Sequence, residues 1–159
     1  MARDITSDFN TAIKNTVVQP IFAIELEFSD GTLRFWTGYG SITMTAGGSS
    51  KVFTGTGDLL SISPVEESST LQMNGISVAL TGIKSSLVST ALSAQYTNRD
   101  AALYMGLYNA SGSVIADVYT LFKGKMDVLN ITEQADTATI TLNIESRLVS
   151  FEQPLNILT

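Results

Sequence analysis

The chain has 159 residues, of which 44% are hydrophobic and 15% are charged, and its formal net charge is −6 with an isoelectric point near 4.4. This composition is typical of a folded protein of one-domain length, and its acidic balance disfavours a grip on nucleic acid. The sequence holds no histidine and no cysteine. It therefore excludes Ser-His-Asp and Cys-His nucleophile systems, zinc sites built on those residues, thiol redox chemistry and disulfides.

Helical signals occur twice. Near the N-terminus, Thr6 or Ser7 can cap a short helix of about residues 7–14, with Phe9, Ala12 and Ile13 on one face. Further along, helical spacing begins at Ile83 and predicts about three turns. The apolar positions of this second helix are Leu87, Val88, Ala91 and Leu92.

Strand signals dominate the first third of the chain. Ile21–Phe28 alternates between large apolar side chains and the set Ala23, Glu25 and Glu27, which predicts a half-buried strand. Asp-Gly within Ser29–Thr32 predicts a hairpin turn, and Leu33–Thr37 is the returning strand. A second predicted hairpin pairs Ser41–Thr45 with Lys51–Thr54 across a flexible tip of small residues, Ala46–Ser50.

The rest of the chain adds further strands. Alternation is clearest near the C-terminus, where Ile140, Leu142 and Ile144 share a face and Thr139, Thr141 and Asn143 take the other. The remaining predicted strands are Ile76–Thr81, Ala101–Tyr108 with a turn at Asn109–Gly112, and Val118–Gly124 with Lys125–Ile131, either paired or continuous. We therefore expect a mostly-β fold: an antiparallel sandwich or small barrel with one short helix packed on it. We expect a single domain over residues 1–159, with a C-terminal tail of about residues 153–159.

No motif completes a catalytic or cofactor site. Gly38-Tyr39-Gly40 and Gly55-Thr56-Gly57 lack the third glycine of a dinucleotide loop, so they are interpreted as turns or bulges. The acidic pair Glu66-Glu67 could supply glycosidase carboxylates only if the chain bends near Pro64, so a solvated or subunit-contact role is favoured. Aromatic residues beside the strands are interpreted as core or interface residues: Trp36, Tyr39, Tyr104 and Tyr108.

The segment FTGTGDLLSISPVEESSTLQMNGISVALTGI, residues 53–83, carries a resemblance to a known family together with the preceding LRFWTGYGSITM. In order and spacing these words resemble tailed-phage and prophage proteins related to the tail-tip hub proteins of siphophages and gene transfer agents. The likeness continues through residues 102–131 and 137–154 and so spans Phe22 to Pro154. Family members carry a basic stretch with an Arg-Tyr-Thr motif after the last strand, whereas residues 152–159 here lack any basic residue.

The resemblance implies a tail-tube-like β fold that assembles into a ring, with no catalytic residue, metal or cofactor. It implies a virion component of the tail tip or baseplate, assembled in the host cytoplasm and joining the tube protein to hub, spike or fibre proteins. DNA would pass through an acidic lumen without being bound, and no membrane insertion is expected because no apolar run approaches about 20 residues. A sixfold ring is favoured over a trimer because the chain has room for only one such domain.

Candidate assembly contacts are Gly47, Gly48, Ser49, Ser50, Glu66 and Glu67. The first four form the predicted hairpin tip, which could add to a neighbouring sheet. Two other hypotheses remain open from the sequence. One is a carbohydrate-binding module or small glycan hydrolase at the tail tip, and the other is an unrelated β-sandwich that binds a partner.

Overall fold

The computed structural model describes residues 5–56, 60–63, 75–84, 95–134 and 137–146. These ranges are mostly β, as predicted, with one short helix and nine strands in a single sheet of order β3-β4-β2-β1-β7-β8-β9-β6-β5. The elements are α1 (Ser7–Ala12), β1 (Pro20–Phe28), β2 (Gly31–Trp36), β3 (Ser41–Ala46), β4 (Ser49–Gly55), β5 (Leu60–Ile62), β6 (Ile76–Lys84), β7 (Asp100–Leu107), β8 (Tyr119–Gln134) and β9 (Thr137–Ser146).

Strand β1 is buried on both faces. It pairs antiparallel with β2 on one side and with β7 on the other. Its large apolar side chains Ile24, Leu26 and Phe28 are buried as expected, but Ala23 and Glu25 on the opposite face are buried too. The half-buried prediction was therefore wrong, because the β3–β4 hairpin covers the second face.

The β3–β4 hairpin closes a small barrel. Two chain reversals after β2 make β4 run parallel to β2, which it meets only at Phe35↔Thr54 and Trp36↔Gly55. At the other edge of the hairpin the Thr45 amide donates to the Ala116 carbonyl at 2.7 Å. Strands β3, β4, β2, β1, β7 and the start of β8 thus enclose one core, and the parallel pair departs from the expected all-antiparallel sheet.

The 16-residue strand β8 continues beyond this barrel. Its first part pairs with β7 and its later part with β9, which in turn pairs with β6. The two segments predicted as paired or continuous are therefore one strand. Register shifts between Leu103 and Tyr104 on β7, and between Met126 and Leu129 on β8, mark bulges, which bend and twist strands.

Two apolar cores lie on the two faces of β1 and β7. The first joins β1, β2 and β7 to β6, β8 and β9, and it contains the predicted face Ile140, Leu142 and Ile144. The second fills the barrel. Its buried residues are Ile21, Ala23, Trp36, Met44, Ala46, Phe53, Ala102 and Tyr104.

Both hairpin turns are tighter than the sequence predicted. The pair Phe28↔Gly31 leaves Ser29-Asp30 as the first turn, so Gly31 opens a strand. In the second hairpin Ala46 pairs with Ser49, and only Gly47-Gly48 remain as the turn. Both of these glycines have positive φ, 61° and 83°, which lets the chain reverse within two residues.

Helix α1 ends earlier than predicted, at Ala12, so Ile13 is 45% exposed instead of sharing the buried face with Phe9. Strand β6 runs through Lys84 and so includes Ile83, where helical spacing was expected to begin. The rest of that predicted helix, Glu66-Glu67 and the tail at 153–159 lie outside the described residues.

Candidate assembly interface

Exposed apolar side chains gather at one end of the barrel, where β1 and β8 begin and β2, β4 and β7 end. Of the seven exposed large hydrophobic residues in the described ranges, four lie in the segment before β1 and a fifth lies in the turn between β2 and β3. We call this surface the apolar end. It consists of Ile5, Ile13, Val17, Val18 and Tyr39.

The turn between β2 and β3 holds Tyr39 outward. One residue beyond the last pair of β1 and β2, the Thr37 amide donates a hydrogen bond to the Phe22 carbonyl at 3.0 Å. The Trp36 indole then donates to the Gly40 carbonyl at 3.0 Å, and its ring lies against Gly38 so closely that a Cβ there would overlap it. With the chain folded back over Trp36, Tyr39 is left 77% exposed.

Helix α1 and the segment after it supply the rest of the apolar end. The helix buries Phe9 and Ala12 against Leu107 and Ile115. The Thr6 hydroxyl caps it by accepting a hydrogen bond from the Phe9 amide at 3.5 Å. The residues flanking this buried face, Ile5 and Ile13, face solvent with the connecting pair Val17 and Val18.

The opposite half of the barrel carries a cluster of charged groups. Glu25 is its buried centre, accepting hydrogen bonds from Lys51 at 2.8 Å and from Arg34. Burial raises the pKa of Glu25, but the hydrogen bonds and charges of Lys51 and Arg34 outweigh it and hold the pKa below 4.5. We call this surface the charged end. Its other ionisable residues are Glu27, Asp100, Lys123 and Lys125.

The predicted hairpin tip lies at the charged end. Gly47, Gly48, Ser49 and Ser50 are all exposed. A Cβ on Gly47 would lie 3.6 Å from the Tyr104 hydroxyl. Burial and the charge of Glu25 raise the pKa of that hydroxyl to about 12. No contact in the described part of the chain tests an assembly role for the tip.

The outer face of the β3–β4 hairpin bears no charge. Register places Thr43 opposite Val52, and Val52 is 57% exposed. Lys51, the one charged residue of β4, points inward to Glu25. We call this surface the hairpin face. It consists of Ser41, Thr43, Thr45, Ser50, Val52 and Thr54.

The aromatic residues singled out from the sequence separate into two groups. Trp36 and Tyr104 belong to the barrel core, where the Tyr104 and Phe53 rings meet edge to face at 6.2 Å. Tyr108 packs partly against that core, and Tyr39 stands on the surface. The signal for the apolar end was in the sequence as the uncharged run Thr16-Val17-Val18, which precedes the first strand, but sequence reasoning missed it.

Among the described residues no group of three or more potential side-chain ligands could hold a metal ion. No helix in those ranges is long and apolar enough to cross a membrane. Asp127 and Glu145 both line a surface pocket of about 600 Å³ beside β6 and β9.

The chain is similar to known proteins in its structure. No family model and no curated protein matches the chain. Among solved structures, it is similar to a chain in the virion of a native gene transfer agent particle, with a TM-score of 0.52 and 15% sequence identity. The match covers 94% of this chain and 48% of that one, so this chain spans about half the length of its neighbour. At this identity the two share a fold.

Proposed function

We propose that this chain is a structural, non-enzymatic subunit of a phage-type virion. Copies form a homo-oligomeric ring in the tail tip or baseplate, between the tube protein and the hub, spike or fibre proteins. The observation that carries the proposal is the fold shared, over 94% of the chain, with a component of a gene transfer agent virion. The resemblance of residues 22–154 to tail-tip hub proteins supports the position within the tail.

The charge of the chain suits a DNA conduit. A net charge of −6 disfavours binding of the phosphate backbone, so we expect DNA to pass through the ring as cargo without binding. The subunit is placed in the virion and assembles in the cytoplasm of the bacterial host.

Six copies per ring is the arrangement that we propose. One sheet accounts for all the described strands, and six such single-sheet units would match a sixfold tube. A trimer that decorates a hub is the rival arrangement.

Labelled-subunit imaging tests the assignment. Virions carrying an epitope-tagged copy of the chain are imaged without imposed symmetry, and the label is located and counted. We expect label at the tail tip in six copies. Three copies would replace the ring by the trimer, and label on the head, or none on purified particles, would contradict the proposal.

Activity assays separate this function from the glycan hypothesis. Purified protein is tested on a glycan array and in a peptidoglycan digest, beside the variants Glu66→Gln/Glu67→Gln and Asp127→Asn/Glu145→Gln. We expect no glycan binding and no cleavage by any of the three proteins. Cleavage by the wild type that either variant abolishes would establish an enzyme instead.

A further inference from the structure

The residues that define the apolar end and the hairpin face carry no charge, although Asp8 and Lys14 are exposed in the segment that carries Ile5 and Ile13. The apolar end presents Val17 at 73% and Tyr39 at 77% exposure, and the hairpin face presents Val52 at 57%. Large exposed apolar patches on soluble proteins mark interaction sites. In the ring proposed above every subunit must contact two neighbouring copies, and these two sets of uncharged residues cost little desolvation to cover.

We propose that copies of this chain bind head to tail, the apolar end of one copy against the hairpin face of the next. This contact rests on the ring proposed above and assigns residues to it. Tyr39 of one copy packs on the β-branched pair Thr43 and Val52 of its neighbour, a pairing of aromatic and β-branched side chains that is favourable on sheet surfaces.

The charged end is excluded as the partner of the apolar end. This surface contains the ion cluster of Glu25, Lys51 and Arg34. It also contains an ion pair in which Lys125 Nζ lies 2.9 Å from Asp100 Oδ1. An apolar surface laid over the outer, solvated charges would remove water from them without supplying hydrogen bonds. The hairpin face offers hydroxyls and one valine, which cost little to cover.

A head-to-head contact, between the apolar ends of two copies, is less favourable. It would cover both apolar ends but leave both hairpin faces in water. The head-to-tail contact covers one of each surface and repeats from copy to copy, which is the requirement for a closed ring.

The two surfaces adjoin at the start of β3, where Tyr39 and Ser41 are two residues apart. The apolar end lies across the ends of the strands, whereas the hairpin face lies along them. The two contacts on each subunit therefore meet at an angle, so successive copies turn about an axis and do not stack in a straight line.

A mixing experiment tests this polarity. One variant blocks the apolar end (Val17→Lys/Tyr39→Lys) and a second blocks the hairpin face (Thr43→Lys/Val52→Lys). Val128→Lys, at an exposed valine of β8 outside both surfaces, is the control. Molar mass is measured by light scattering on a sizing column, after circular dichroism and melting confirm that every variant folds.

We expect oligomers from the wild type and the control, monomers from each blocked variant, and dimers from their equimolar mixture, since that mixture restores one intact contact. A hairpin-blocked variant that still pairs, or a mixture that stays monomeric, overturns the head-to-tail contact. Oligomers retained by every variant overturn this contact but leave the ring standing. A wild type that is monomeric at all concentrations counts against both.

Discussion

Glu25 is the residue on which the covered face of β1 depends. Its carboxylate is the one buried charged group in the described part of the chain, and its side chain is 9% exposed. Lys51 and Arg34 come from β4 and β2, so the ion cluster ties the hairpin to the sheet where the backbones of β2 and β4 are not paired. Removing the charge of Glu25 would leave both Lys51 and Arg34 without their charge partner in this cluster.

We therefore expect Glu25→Gln to lower the free energy of unfolding at pH 7 by about 2 kcal/mol. This is less than the roughly 3–5 kcal/mol for fully buried pairs, because the Arg34 side chain is 30% exposed. Since the folded-state pKa lies below 4.5, the stabilisation by Glu25 is present above that pH and is lost as the pH falls through the folded pKa. Urea unfolding from pH 7 to pH 3 measures both effects.

The matched control is Glu27→Gln, two residues along on the same face but exposed. It should leave the stability at pH 7 nearly unchanged. Equal losses from the two substitutions would show that net charge, and not the ion cluster, sets the effect.

Gly38 permits the turn that exposes Tyr39. An added Cβ would overlap the Trp36 ring, which is 7% exposed in the barrel core. Gly38→Ala should therefore displace the indole, break its hydrogen bond to Gly40 and lower stability by about 1–3 kcal/mol.

Trp36 is the single tryptophan of the chain, so its emission reports this change directly. We expect the emission maximum to shift to longer wavelength in Gly38→Ala. Tyr39→Ala should cause no shift, because the Tyr39 side chain lies in the same turn but is exposed to solvent. An unshifted spectrum together with unchanged stability would mean that the ring does not lie against Gly38.

At the scale of elements, the register of β9 decides which of its faces is buried. Leu142 pairs with Val78 and Leu129 on its two neighbours and is fully buried. Leu142→Ala should cost about 2–5 kcal/mol by leaving a cavity. Thr141→Ala, on the other face, should cost much less, and a larger loss from Thr141→Ala in chemical unfolding would mean that the register is shifted by one residue.

The two-residue turn of the β3–β4 hairpin makes a second prediction at this scale. Both positions need positive φ, which asparagine tolerates and a β-branched residue does not. Gly47→Asn should change the free energy of unfolding by less than about 0.5 kcal/mol, whereas Gly47→Val should lower it by about 1–3 kcal/mol. Equal melting temperatures for the two variants would contradict the turn geometry.

Alternation in the sequence predicted the strands and the buried face of β9, because apolar residues along a strand occupy the face that is buried. It could not predict the second buried face of β1. Glu25 carries the polarity of a solvated position, and the groups that neutralise it lie 9 and 26 residues away in the chain. The apolar end escaped prediction for a similar reason, since only the folded barrel brings Tyr39 and Val17 to the same end.

For the whole molecule, the proposed contact between uncharged surfaces and the acidic net charge together predict how assembly responds to salt. Copies that each carry a net charge of −6 repel one another, whereas the apolar end and the hairpin face contribute no ion pairs. Raising the salt concentration shortens the Debye length, which is about 10 Å at 0.1 M. Salt therefore weakens the repulsion between copies without weakening the apolar contact.

We expect the association constant to rise between low and moderate sodium chloride, by about tenfold or less. Sedimentation velocity on the wild type, with Val128→Lys as a control of nearly equal charge, measures it. Association that weakens with salt would place ion pairs at the subunit contact.

The closure of the barrel by Thr45 and Ala116 has a consequence for how the chain is made. Strands β1 to β4 leave the ribosome early, yet β1 needs β7 on its second edge, and β3 needs the segment before β8. Until residues 116–118 have left the ribosome, the nascent chain therefore holds open strand edges and an uncovered Phe53. Pairings between such distant segments form slowly, and open edges are prone to mispair with other chains. Synthesis on polysomes places many such half-made copies side by side, so we expect mispairing between chains to be most frequent before the barrel closes.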